Sequence, residues 1–138
     1  MGYLKWALVA LGAYTLVPPL MKVVTQDIPS DVATFGANGV LVLAALALAA
    51  TSGHDVVPYL THPKAPYMYL AGIALAVGIL AYYRALALGP VNVVTPIFGM
   101  FIVTSTLLGA LFLNESMSLQ KAAGVGFAVL AVYLTATG

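Results

Sequence analysis

The groups able to carry covalent, acid–base or ligand chemistry in these 138 residues are few, and their spacing limits what they can do. The carboxylates are Asp27, Asp31, Asp55 and Glu115, and the histidines are His54 and His62. No Ser-His-Asp set, glycine-rich phosphate loop or paired carboxylates occur, so the sequence gives no reason to expect an enzyme. His54, Asp55 and His62 share one prolyl loop, but their spacing fits no zinc cage; neither a metal site nor a cofactor is expected. Each carboxylate also lies at the end of an apolar segment or in a loop. Proton-coupled pores use a carboxylate embedded in the membrane with a raised pKa, and none is legible here. Glu115 reads instead as a helix-start device, with Asn114 or Ser116 as the cap of the following segment.

Polar side chains beside helix breakers are the other candidates. In "AYTLVPPL", residues 13–20, Pro18 and Pro19 have no N–H to give the carbonyls of Tyr14 and Thr15, so a break is expected there. In "YYRALALGPVNVVTP", residues 82–96, Pro96 either kinks a helix begun near Val91 or starts one at Thr95 as N-cap. On either reading, irregular backbone is expected over residues 89–95. Within a membrane such backbone is tolerated where protein or a wet cavity covers it, and transporters bind solutes at interrupted helices. The expected lining is Tyr14, Thr15 and Pro18, then Tyr82 and Tyr83, then Thr95, Pro96, Met100 and Thr104. Met100 and Thr104 share a helical face. One of the adjacent Tyr82 and Tyr83 must point away from such a cavity.

The elements that position these residues follow from composition. The chain is 62% hydrophobic and 7% charged, far below the about 25% charge of a soluble domain. Its solvent must therefore be a lipid bilayer. A net charge of +1 without clustered Lys and Arg excludes a nucleic-acid partner, and there is no cysteine to pair. Five runs are long enough to span at about 20 residues each: 3–24, 32–50, 67–88, 91–113 and 119–137. They predict an all-α integral membrane protein in one domain, 1–138, with the first run a retained helix rather than a cleaved signal. The stretch from Thr51 to Pro66 carries three prolines and is expected to be a helix-free loop.

Small residues allow close helix approach: Gly72 and Ala76, Ser105 and Gly109, Gly124 and Ala128. Packing inside the bundle is the plain reading of these pairs, and a dimer contact the other. Five spans put the termini on opposite sides. Lys5, Lys64 and Lys121 then fall on one face, with Lys22 and Arg84 on the other. Three against two is almost no positive-inside bias, so insertion in both orientations is expected. Lys22 and Arg84 sit near helix C-termini, where they anchor at the interface or form a cationic rim for an anionic solute. Trp6 reads as an interface residue.

The C-terminal half, "YYRALALGPVNVVTPI" followed by "TLLGALFLNESMSLQKAAGVGFAVLAVYL", resembles the EamA-type repeat of the drug/metabolite transporter superfamily. Three departures stand out. Asn114 replaces the family's glycine before the glutamate, Ser116 replaces a basic residue, and Ile102 replaces a mid-helix proline. Most members resemble two fused, inverted five-helix repeats, whereas this chain has the length of one, like the five-helix bacterial and archaeal branch. The resemblance implies one half of an inverted-repeat fold in the cytoplasmic membrane. It further implies a secondary transporter of a small organic metabolite, completed by a flipped second copy as an antiparallel homodimer with alternating access. A sister branch, the small four-helix multidrug antiporters, uses an embedded Glu that this chain lacks. That leaves facilitated diffusion, exchange, or coupling through a less obvious group. A membrane subunit of a hetero-complex and a lipid-linked-sugar flippase are the alternatives.

Overall fold

The computed structural model describes residues 2–138. Seven helices follow in order: α1 Gly2–Asp27, α2 Ser30–Thr51, α3 Val56–Leu60, α4 Ala65–Leu88, α5 Val91–Gly99, α6 Phe101–Phe112 and α7 Leu119–Thr137. No strand occurs among the described residues. Five stretches have the length and hydropathy to cross a membrane, with α5 and α6 together supplying the fourth, Val91–Phe112. Short connections join them. Only Ile28 and Pro29 separate α1 from α2, and only Gly89 and Pro90 separate α4 from α5.

Prolines set many of the helix starts. Pro29 (φ −52°, ψ 141°) and Pro90 (φ −74°, ψ 145°) hold the extended conformation that precedes α2 and α5. Pro66 is the second residue of α4 and Pro58 the third of α3, positions where a missing N–H costs no helical bond. The same fact corrects one expectation. The 51–66 loop is not free of helix, because Pro58 in the first turn is compatible with the short α3. The Tyr69 hydroxyl, donating to the Leu60 carbonyl at 2.7 Å, ties the end of α3 to α4.

The chain forms two compact units. One contains α1 as far as Pro18, then residues 88–138. Within it α5 packs on α7, and α6 meets both; Val103 is its buried hydrophobic residue. The other is Pro19–Ala87. Its core is Met21 from α1, Ala33 and Thr34 from α2, and Ala65, Tyr82, Tyr83 and Leu86 from α4, with Leu86 wholly inaccessible. Most other large apolar side chains are exposed, including Leu43, Leu70, Leu111 and Phe127. In water that would be ruinous; in hydrocarbon it is what a lipid-facing surface requires.

Candidate functional site

The fourth span is interrupted, but not where the sequence pointed. α5 starts at Val91, so residues 91–95 are helical, Thr95 is not an N-cap, and Pro96 lies inside the helix. The interruption falls four residues later, at Met100. A regular helix would send the Met100 N–H to the Pro96 carbonyl. It goes instead to Ile97 at 3.2 Å, a tightened i→i−3 turn. The Met100 carbonyl then accepts from the N–H of Val103 at 3.0 Å and of Thr104 at 3.1 Å. The Thr104 hydroxyl turns back to Phe101 and Met100, at 3.2 and 3.4 Å. Phe98 and Phe101 stack across the interruption, ring centroids 5.2 Å apart. The tightened turn thus lies one turn after Pro96 and not at the Asn92 carbonyl that the proline leaves without its donor.

The first span corrects another expectation: α1 runs through Pro18 and Pro19 without a break. The prolines still withhold the N–H groups that would serve Tyr14 and Thr15, yet the helical path continues. Pro18 is buried, whereas Tyr14 and Thr15 are exposed. The Thr15 hydroxyl is committed to the Leu11 carbonyl of its own helix at 2.7 Å. Of the nine residues expected to line a cavity, Tyr14, Thr15, Pro18, Thr95, Pro96, Met100 and Thr104 belong to one unit. Met100 and Thr104 are joined there by hydrogen bonds. Tyr82 and Tyr83 belong to the other.

Both tyrosines are buried, with ring centroids 5.9 Å apart and planes tilted by 39°. Beside them in the same unit lies a feature the sequence reading missed. The Lys22 ammonium, part-buried, donates to the Leu86 carbonyl at 2.8 Å. Leu86 is among the last four residues of α4, whose carbonyls have no donor inside the helix. A cation there both satisfies an acceptor and meets the negative end of the helix dipole. Lys22 is thus a cap tying the end of α1 to the end of α4. The signal available was a lysine near one span end, but nothing local pairs residues 64 apart. Arg84 is exposed.

The turn after α6 is also built differently from expectation. Ser118 caps α7, its hydroxyl accepting from the Lys121 N–H at 3.2 Å, in place of Asn114 or Ser116. Lys121 reaches the Ser116 carbonyl at 3.0 Å. Asn114 has φ +54°, and Glu115 folds back over α6. A Cβ at Gly109 would stand 3.1 Å from its Oε2 atom. The Gly and Glu of the motif therefore touch.

A groove of ≈ 920 Å³ opens between α2 and α4 in the Pro19–Ala87 unit. Its wall is apolar except for Asp31, Thr34 and Asn38, which descend one face of α2. Thr34 donates to the Ser30 carbonyl at 2.6 Å, and the Asn38 amide donates to the Thr34 carbonyl at 2.9 Å. Gly72 and Ala76 form part of the opposite wall. No atom beyond its own helix lies within 4 Å of a Cβ built on Gly72 or Gly124, so neither glycine serves close packing inside this chain.

These features define a multi-pass helical membrane protein with one interrupted span. Residues 1–137 match the EamA-like transporter family, and the chain belongs to that family. Its five spans make one half of the drug/metabolite transporter fold. It is similar to a protein of Sinorhizobium sp. described as an uncharacterized transporter in the cobO 3' region, 33% identical over 133 residues. That match covers 95% of this chain and 94% of the relative. No solved structure matches.

Proposed function

We propose that the protein is a secondary transporter of a small organic metabolite in the cytoplasmic membrane, working as an antiparallel homodimer with alternating access. The observation that carries this reading is the family match over one five-span unit with nearly balanced flanking cations. The relative is matched over almost its full length, so it too has the size of a single repeat. A flipped copy supplies the inverted half that two-repeat members carry in one polypeptide. Gly124, with open space before it, supports a further helix coming close.

The interrupted fourth span supplies the mobile part in this reading. The tightened turn at Met100, one turn after an internal proline, is then the hinge about which the span repacks during alternating access. Thr95, Met100 and Thr104 flank that point and contact the solute as it passes. All four carboxylates lie in first turns, last turns or loops, which supports facilitated diffusion, exchange or coupling through another group over proton antiport by an embedded carboxylate.

Reconstitution of this polypeptide alone into liposomes tests the proposal. Saturable uptake of at least one compound from a panel of amino acids, nucleosides, sugars and amines is the expected result. Absence of uptake, together with a second polypeptide that co-purifies in fixed ratio, would assign the chain to a hetero-complex instead.

A further inference from the structure

The α2/α4 groove belongs to the Pro19–Ala87 unit, shares no residue with the interrupted span and plays no part in the transport reading. We propose that it seats a phospholipid with an ethanolamine headgroup. In a bilayer an open apolar trough is filled by an acyl chain or by another helix. What distinguishes the two here is charge at one end only.

At one mouth Asp31 lines the groove from the first turn of α2. Leu80 lines it from α4, and Arg84 follows Leu80 by four residues on the same helical face. Neither Asp31 nor Arg84 forms an ion pair among the described residues, and both are exposed. A guanidinium takes a phosphate through two parallel hydrogen bonds, and a carboxylate takes a primary ammonium. An ethanolamine phospholipid carries both groups, adjacent, at the level where these helices leave the hydrocarbon. Lys22, the other cation near this end, is already committed to the Leu86 carbonyl.

Two turns further in, Asn38 lies ~10 Å below Asp31 along the helix, its side chain leaning back toward the helix start. One amide hydrogen serves the Thr34 carbonyl. In the proposal the second serves an ester carbonyl of the lipid, below the phosphate and above the chains. Beyond Asn38 the walls are Gly39, Leu75, Ala76 and Gly72, with no polar group. The bare backbone there leaves room for an acyl chain.

The test uses delipidated protein in detergent with phosphatidylethanolamine, phosphatidylcholine or phosphatidylglycerol added back. Phosphatidylethanolamine is expected to raise the melting temperature by about 5 °C, as saturating ligand does. The other two should give less than about half of that shift. Phosphatidylcholine presents no ammonium hydrogens and phosphatidylglycerol no cation. Gly72→Leu, and independently Gly39→Leu, place a side chain into the open trough without meeting other atoms at Cβ. Each should leave the lipid-free melting temperature within about 2 °C and abolish the lipid-dependent rise. Asp31→Asn and Arg84→Gln should each at least halve it. Equal shifts with all three lipids, or a full shift in both leucine variants, would overturn the proposal. So would a leucine variant that turned a dimer into a monomer, since the groove would then be a protein interface.

Discussion

Asn114 shows how a departure from the family pattern can be neutral in physical terms. At φ +54° a Cβ crowds the backbone, and glycine and asparagine tolerate that region best. Asn114→Gly should therefore change stability by less than about 1 kcal/mol, while Asn114→Val should cost about 1–3 kcal/mol in an unfolding titration. Gly109 faces Glu115, but the close atom is the far end of an exposed side chain. Gly109→Ala is predicted to be neutral or to stabilise by up to about 1 kcal/mol, since Glu115 can move and alanine favours helix. Lys22 behaves differently, because its partner is a backbone carbonyl that cannot find another donor. Lys22→Met should lower stability by about 1.5–3 kcal/mol, the range for a hydrogen bond to a charged group, with Lys22→Arg recovering part of it. Equal stability of wild type and Lys22→Met would remove the capping role.

At the scale of elements, Pro96 is the residue to change. Pro96→Ala restores an N–H for the Asn92 carbonyl and, if the proline places the tightened turn at Met100, lets that turn become regular helix. Amide exchange at Met100 and Phe101 should slow by about tenfold or more, a ~1.4 kcal/mol change in local opening, and uptake should fall. Unchanged exchange would mean that the interruption has another cause. The position of this break also marks the limit of what the sequence revealed. The spans were legible because lipid imposes a length and an apolar composition that no fold choice can evade. Three of the seven helices begin beside a proline visible in the sequence, Pro29, Pro66 or Pro90. Breaks inside spans were not, since a proline removes one hydrogen bond but the neighbouring turns decide where the path bends. Pro18 and Pro19 left α1 continuous, and the fourth span is interrupted at Met100, one turn after Pro96. The pairing of Lys22 with Leu86 and the α2/α4 groove escaped for a different reason. Both depend on tertiary neighbours, and in a membrane sequence the lipid-facing and inward-facing sides are equally apolar.

For the whole molecule, the family match and the nearly even distribution of cations point the same way. A chain with Lys5, Lys64 and Lys121 toward one face and Lys22 and Arg84 toward the other has little electrostatic reason to choose an orientation. It also supplies only one of the two halves that its family combines. Both features follow if insertion in two orientations is how the second half is made. Adding positive charge should break the balance. Ser116→Lys with Gly138 unchanged puts a fourth cation on the first face, and is expected to bias insertion toward one orientation and to reduce uptake at equal expression. The most direct test needs one cysteine, since the chain has none of its own. With Gly138→Cys in sealed membrane vesicles, an impermeant maleimide applied outside should label about half of the protein, and lysis should expose the remainder. Labelling of nearly all molecules from a single side would contradict the antiparallel pair.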